Sequence, residues 1–203
     1  MGATNVSSVI LDAADPDTAT QFYRELGVGP RIGVRAGNEP SSGFRGYTLS
    51  LVVSQPNIVD LYVDAATAGG AAVLKAPQKS LWGYGGAFAA PDGAIWTIAS
   101  SSKKNSGPAT RTFDELVLLL GVADVKASKQ FYVEHGLEVE KSFGRKYVQF
   151  AGSPDGITLA LNGRRALAKN AGVSAEGSGA HRITIESGAG EFTDPDGFAW
   201  GTP

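Results

Sequence analysis

One short pattern is written twice in this chain. Leu81–Ala99 reads LWGYGGAFAAPDGAIWTIA, and the C-terminal stretch reads SGAGEFTDPDGFAWGTP. Each copy runs small residues, a Phe, a Pro-Asp-Gly turn and a Trp: Phe88, Pro91-Asp92-Gly93 and Trp96, then Phe192, Pro195-Asp196-Gly197 and Trp200. Pro presets φ at the second turn position and Gly supplies the positive φ that follows, so each copy predicts a β-hairpin closing on an aromatic strand. A second pattern repeats around it. Asp15 can cap a helix that starts at Pro16, with Ala19, Phe22, Tyr23 and Leu26 on one face and Gly27 to end it. Shifted by 109 positions, Ser128, Phe131, Tyr132, His135 and Gly136 fall in the same places behind Asp124. Two unrelated patterns that recur together predict a duplicated module.

The segments between them divide the chain. Val9–Leu11, Ile32–Val34 and Tyr47–Val53 predict strands, with a Gly/Pro/Ser-rich loop over 36–43. Ile58–Val63 is β-branched and predicts a further strand, followed by a small-residue helix over Asp64–Ala68. SSKKNSGPAT, 101–110, is polar and aperiodic, and reads as a linker. Beyond it, strands are predicted at Leu116–Leu120, Tyr147–Phe150, Ile157–Leu161 and Arg182–Glu186, with a loop or helix at Arg164–Asn170. The expected organisation is an N-terminal module over 1–100, a linker over 101–111 and a shortened C-terminal module over 112–203. In the second copy nothing after Ile185 resembles the Asp64–Ala68 helix, so that crossover is expected to be lost or replaced by Ser187–Gly190. A chain of 203 residues accommodates two such modules, each with a core.

The order strand, helix ending in FY-x-x-x-x-G, three strands, and a PDG-x-x-W hairpin resembles the vicinal oxygen chelate superfamily of glyoxalases, extradiol dioxygenases and bleomycin-resistance proteins. The resemblance covers both halves. It implies an α+β fold of duplicated βαβββ modules whose curled mixed sheets surround a central cavity. It implies no single reaction, because the fold hosts metal enzymes and metal-free binders alike.

In that superfamily a divalent metal is held by His and Glu, typically a His on a module's first strand and a Glu directly after the PDG-x-x-W tryptophan. The matching positions here are Ser8 and Val117 for the His, and Thr97 and Gly201 for the Glu. Neither pair offers an imidazole or a carboxylate, so no metal and no cofactor is expected. His181 stands where the superfamily can place a later His, but Glu186 is an odd number of positions further on, which puts the two side chains on opposite faces of a regular strand.

Other chemistries find little footing. The chain has no cysteine, so thiolate sites and disulfides are excluded, and a net charge of −2 without a basic patch argues against nucleic acid. No basic-plus-apolar leader and no membrane-length apolar run is present, which gives a cytoplasmic protein without a membrane partner as the expectation. Ser101–Lys104 matches S-x-x-K inside the linker without the partner motifs that give it meaning. The glycine runs at 83–86 and 188–190 lack the context of phosphate loops.

The remaining signal is aromatic. Phe44, Tyr47, Trp82, Tyr84 and Tyr147 lie on or beside strands expected to line the cavity, with Arg45, Arg145 and His181 as polar contacts. Trp82 and Tyr84 sit among glycines, where a planar ligand has room against a ring. The leading expectation is a metal-free binder of a small aromatic or hydrophobic metabolite. Two alternatives stay open: a lyase, isomerase or dioxygenase with an unorthodox metal site at His181 or a metal-free base at Glu186 or Glu191, and an interaction protein with a vestigial pocket. The cavity is completed either by one chain or by a homodimer.

Overall fold

The computed structural model describes residues 4–203; the first three residues of the expected 1–100 module lie outside it. The first half runs β1 (Val6–Ala13), α1 (Pro16–Leu26), β2 (Ile32–Ala36), β3 (Ser41–Gly43), β4 (Tyr47–Val52), α2 (Pro56–Ala68), β5 (Ala72–Ser80), β6 (Gly83–Ala89) and β7 (Ile95–Ser100). The second runs β8 (Glu115–Val122), α3 (Val125–Glu134), β9 (Val139–Phe143), β10 (Tyr147–Phe150), β11 (Thr158–Gly163), α4 (Arg164–Ala171), β12 (Gly177–Gly179), β13 (Ile183–Ser187), β14 (Phe192–Thr193) and β15 (Ala199–Gly201).

Both predicted FY helices form as their sequences dictate. Asp15 caps α1 by accepting from the Thr18 amide at 3.1 Å, and Gly27 ends it at φ 86°. Asp124 caps α3 by accepting from the amides of Lys126 and Ala127. The expected strand over Ile58–Val63 is instead the body of α2. Pro56 opens this helix, and Ile58, Val59, Tyr62, Val63 and Ala66 recur at helical spacing to give it one buried face, which outweighs the β-branched composition. The strand of this region is β5, an exposed edge strand with no apolar alternation to announce it. The segment from Arg164 is the helix α4, and a turn between β13 and β14 stands in place of the crossover.

Strand order shows how the duplication is built. The eight-stranded sheet runs β5-β6-β7-β4-β8-β11-β10-β9, and the five-stranded sheet runs β14-β15-β13-β1-β2. Within the larger sheet, β4-α2-β5-β6-β7 and β8-α3-β9-β10-β11 are complete βαβββ units, each with its first and last strands parallel and adjacent. They meet where β4 pairs antiparallel with β8, Ser50 opposite Val117. The smaller sheet joins two partial units from the chain ends, β1-α1-β2 and β13-β14-β15, through antiparallel β1 and β13. Each half therefore holds one complete and one partial unit, in opposite order, and each sheet draws on both halves.

One apolar core joins the two sheets and three helices, with Val9, Leu11 and Ile185 from one sheet, Leu49, Trp96 and Leu118 from the other, and Phe22, Tyr62 and Tyr132 from α1, α2 and α3. Residues 101–110 carry no helix or strand, yet they are held. The buried Gln55 side chain accepts from the Ser106 and Gly107 amides at 2.7 and 3.0 Å and donates to the Pro108 carbonyl at 3.0 Å.

Candidate ligand cleft

The repeated motifs serve the fold first. Tyr23 on α1 donates to the Asp92 carboxylate of the first PDG turn at 2.9 Å, and its ring lies 5.7 Å from Trp96. Tyr132 on α3 donates to Asp194, two residues before the second PDG Asp, and lies 5.2 Å from Trp200. Asp196 itself accepts from Ser128 at 2.9 Å and from the Ala123 amide at 2.7 Å. Burial and the neighbouring carboxylate push the phenols of Tyr23 and Tyr132 well above their ordinary range. Phe22 and Phe131 occupy matching environments, edge-on to Phe88 and Phe192 respectively. His135 is the C-cap of α3, its Nδ1 2.8 Å from the Phe131 carbonyl oxygen.

Most residues singled out from the sequence lie away from any one cavity. Phe44 is buried against Leu167 and Ala168, with the Arg164 guanidinium 5.1 Å above its ring. Arg45 donates to the Asp92 carbonyl at 2.8 Å and so braces the first PDG turn. Tyr47 is 1% exposed in the core, edge-on to Phe198, its phenol pushed up by burial. His181 stacks on Phe198 at 4.0 Å with Nδ1 2.6 Å from the Arg45 carbonyl and Nε2 3.1 Å from the Asp196 carbonyl, a tie between the halves. Arg145 is exposed in the β9–β10 turn. Tyr147 donates to Gln149 at 2.9 Å on the far half of the larger sheet. Trp82 and Tyr84 do come together, at one cleft.

The metal-ligand positions of the resembled superfamily fall into two register rows. On the larger sheet Thr97 pairs with Ser50, Ser50 with Val117, and Val117 with Thr158. On the smaller sheet Gly201 pairs with Glu186, and Glu186 with Ser8, whose hydroxyl donates to the Glu186 carboxylate. The first row offers hydroxyls and methyls, the second a single carboxylate. Among the described residues no group of three or more His, Asp or Glu side chains could hold an ion. A transition-metal site takes about three or four protein ligands, so this donor set does not fit a metal of that kind.

The cleft lies on the face of the larger sheet that turns away from the core. Alternation along the strands puts Leu49, Leu51 and Leu118 inward and Thr48, Ser50 and Leu119 on this face. Helix α4 rests against it, touching β8, β11, β4, β6 and β7, and fills its middle with Leu167. Between α4 and β5–β7 remains a cleft of about 350 Å³. Its wall is β6, where Gly85 and Gly86 keep the backbone bare. A Cβ on Gly85 would stand 2.9 Å from the Ile98 carbonyl oxygen, and one on Gly86 3.1 Å from that of Lys75. Trp82, 85% exposed in the β5–β6 turn, stands at the mouth. Thr48 lines the cleft from β4, fully buried, with its Oγ1 lacking any hydrogen-bond partner. Tyr84 also lines it but donates its hydroxyl to Asp60 on α2 at 2.8 Å. The period-2 pattern of YTLSLVV carried Thr48 and Ser50 as a signal that sequence reasoning passed over in favour of the aromatic residues.

On the far half of the same sheet a second depression, about 480 Å³, contains Asp114, Glu115 and Glu140. Two of its carboxylates are engaged: Thr158 donates to Glu115 at 2.6 Å, and the Gln149 amide donates to Glu140 at 3.0 Å.

No family model matches the sequence, and no curated protein matches it. Solved structures do. The chain is similar to glyoxalase I from Zea mays, at 13% identity over 98% of this chain and 91% of that one, with a TM-score of 0.61. It is also similar to a putative dioxygenase from Bacillus subtilis, at 14% identity over 96% and 72%, with a TM-score of 0.54. Likeness at this identity shows a shared fold, the α+β vicinal oxygen chelate architecture of repeated βαβββ units and curled mixed sheets.

Proposed function

We propose that this chain, built on the vicinal oxygen chelate fold, binds a small planar organic molecule without a metal, in the cleft between α4 and β5–β7. The observation that carries this reading is the construction of the cleft. It combines an exposed indole at its mouth, a bare glycine backbone along one wall, Leu119 and Leu167 as apolar surface, and an unpartnered buried hydroxyl at Thr48. A flat ring laid along β6 would cover apolar surface and stack on Trp82, while a polar substituent satisfied Thr48. The donor set supports the metal-free form of the reading. Of the residues chosen from the sequence, Trp82 brings its side chain to the proposed site, while Tyr84 borders it with its ring packed on the core side.

Bicyclic aromatic probes test it by thermal shift and calorimetry, since a ligand of the native state raises the melting temperature as RT ln(1 + [L]/Kd). At least one of 2-naphthoate, 2-naphthylmethanol and 2-naphthylmethylammonium is expected to bind, with Trp82→Ala weakening it at least tenfold at an unchanged melting temperature of the free protein. Failure of all three, or binding indifferent to Trp82→Ala, removes the proposal.

A further inference from the structure

We infer that the ligand of this cleft is an anion, a planar carboxylate or a group of like charge, and that Lys75 selects it. The inference rests on the cleft being the binding site and adds the chemical class of what it takes.

Lys75, half-buried on β5, is the one residue of the lining that carries a full charge at neutral pH; no Asp or Glu is among them. Asp60, which Tyr84 engages, is outside the lining. Lys75 pairs in register with Ala87, and Ala87 with Thr97, so β5, β6 and β7 carry it on the same row as the cleft-facing hydroxyl of Thr97. From the other side α4 approaches it, and a Cβ on Gly172, just past the helix end, would lie 3.5 Å from the Lys75 Cβ. Among the described residues the ion pairs are Arg35 with Asp12 and Lys141 with Glu140, so Lys75 has no carboxylate partner. With its stem against the cleft wall and no carboxylate beside it, the Lys75 ammonium is free to pair with an incoming anion.

The second observation is independent of charge. The Thr48 hydroxyl is buried with no partner, and an O–H in that state is free to donate. Each group favours an anion, the hydroxyl as a donor and the ammonium as a counter-charge, whereas a cationic ligand would meet Lys75 with like charge. The far half of the sheet supplies the contrast, because its depression is lined by Asp114, Glu115 and Glu140 against the single cation Arg31. The sheet therefore separates a cationic cleft from an acidic one.

Calorimetry with 2-naphthoate, 2-naphthylmethanol and 2-naphthylmethylammonium at low and moderate salt tests the inference on the intact chain. The carboxylate is expected to bind at least tenfold more tightly than the isosteric alcohol, about 1.4 kcal/mol, and the ammonium more weakly than either. Lys75→Met should erase the preference for carboxylate over alcohol while leaving the affinity for the alcohol within twofold, and Thr48→Val should weaken the carboxylate further. An unchanged melting temperature shows that each variant is folded. Equal binding of carboxylate and alcohol, or a preference that survives Lys75→Met, overturns the inference and leaves the cleft as a neutral binding site. Binding of none of the probes overturns the cleft itself.

Discussion

The two complete βαβββ units share a strand order and a sheet, and they differ in what covers the face turned away from the core. Helix α4 rests on both units; beyond it, on the β8–β11 unit, Tyr147 donates to Gln149 and Gln149 to Glu140, and separately Thr158 donates to Glu115. On the β4–β7 unit, the surface is open above a glycine-bare strand, and Thr48 is left without a partner. Topology alone thus leaves function undetermined: the same unit carries a glycine-walled cleft with Lys75 in one copy and a depression lined mostly by carboxylates in the other.

Because α4 seats on strands of both units through Leu167, Leu167→Ala should be the most costly single change. Leu167 is 2% exposed, and truncating a buried leucine costs about 2–5 kcal/mol; urea denaturation at constant m would read it. A loss under about 0.5 kcal/mol would mean that α4 does not seat on the sheet.

The tyrosine ties extend the contrast to the duplicated helices. Tyr132 donates to Asp194, 5% exposed, whereas the Asp92 partner of Tyr23 is only half-buried. Removing a donor from a buried carboxylate costs more than from a wetter one, so Tyr132→Phe should destabilise by about 2–3 kcal/mol and Tyr23→Phe by about 1 kcal/mol. Equal losses would show the two ties to be equivalent.

A smaller effect follows at alkaline pH. Tyr23, Tyr47 and Tyr132 hold their protons above the usual phenol range in the native state, while the unfolded chain ionises near ~10. Above that pH the unfolded state binds fewer protons than the native one, so the free energy of unfolding falls as pH rises; below it the stabilisation is fully present. The decline should start near pH ~10, and the Tyr→Phe variants should flatten it. A denaturation midpoint independent of pH through that window would contradict the assignment.

Much of the fold was written in the sequence, because duplication repeats its constraints. The FY helices and PDG hairpins could be aligned to one another, and their matched contacts, Tyr23 with Trp96 and Tyr132 with Trp200, follow. Ile58–Val63 was misread because β-branched residues weigh toward strand, although Pro56 and the spacing of Ile58, Tyr62 and Ala66 describe a helix. Strand β5 was silent, since an exposed edge needs no alternation. The cleft was legible only in part. Trp82 and Tyr84 stood out by their glycines, but whether Tyr47 faced core or cavity depended on strand parity, which buries it and sends Thr48 to the cleft. His181 looked free in sequence because its partners are carbonyls of Arg45 and Asp196, and a backbone acceptor leaves no mark on composition.

The proposed ligand should enter the glycine-walled cleft of the β4–β7 unit and leave the acidic depression of the β8–β11 unit empty. Titrating 2-naphthoate into isotopically labelled protein and following amide and indole resonances by NMR addresses it directly. Saturable shifts at the Trp82 indole, the amides of Gly83, Gly85 and Gly86, and Thr48 are expected, with Glu115, Glu140 and Gln149 unmoved. Shifts centred on the Glu115–Glu140 depression, or none at the glycine strand at millimolar ligand, would contradict it.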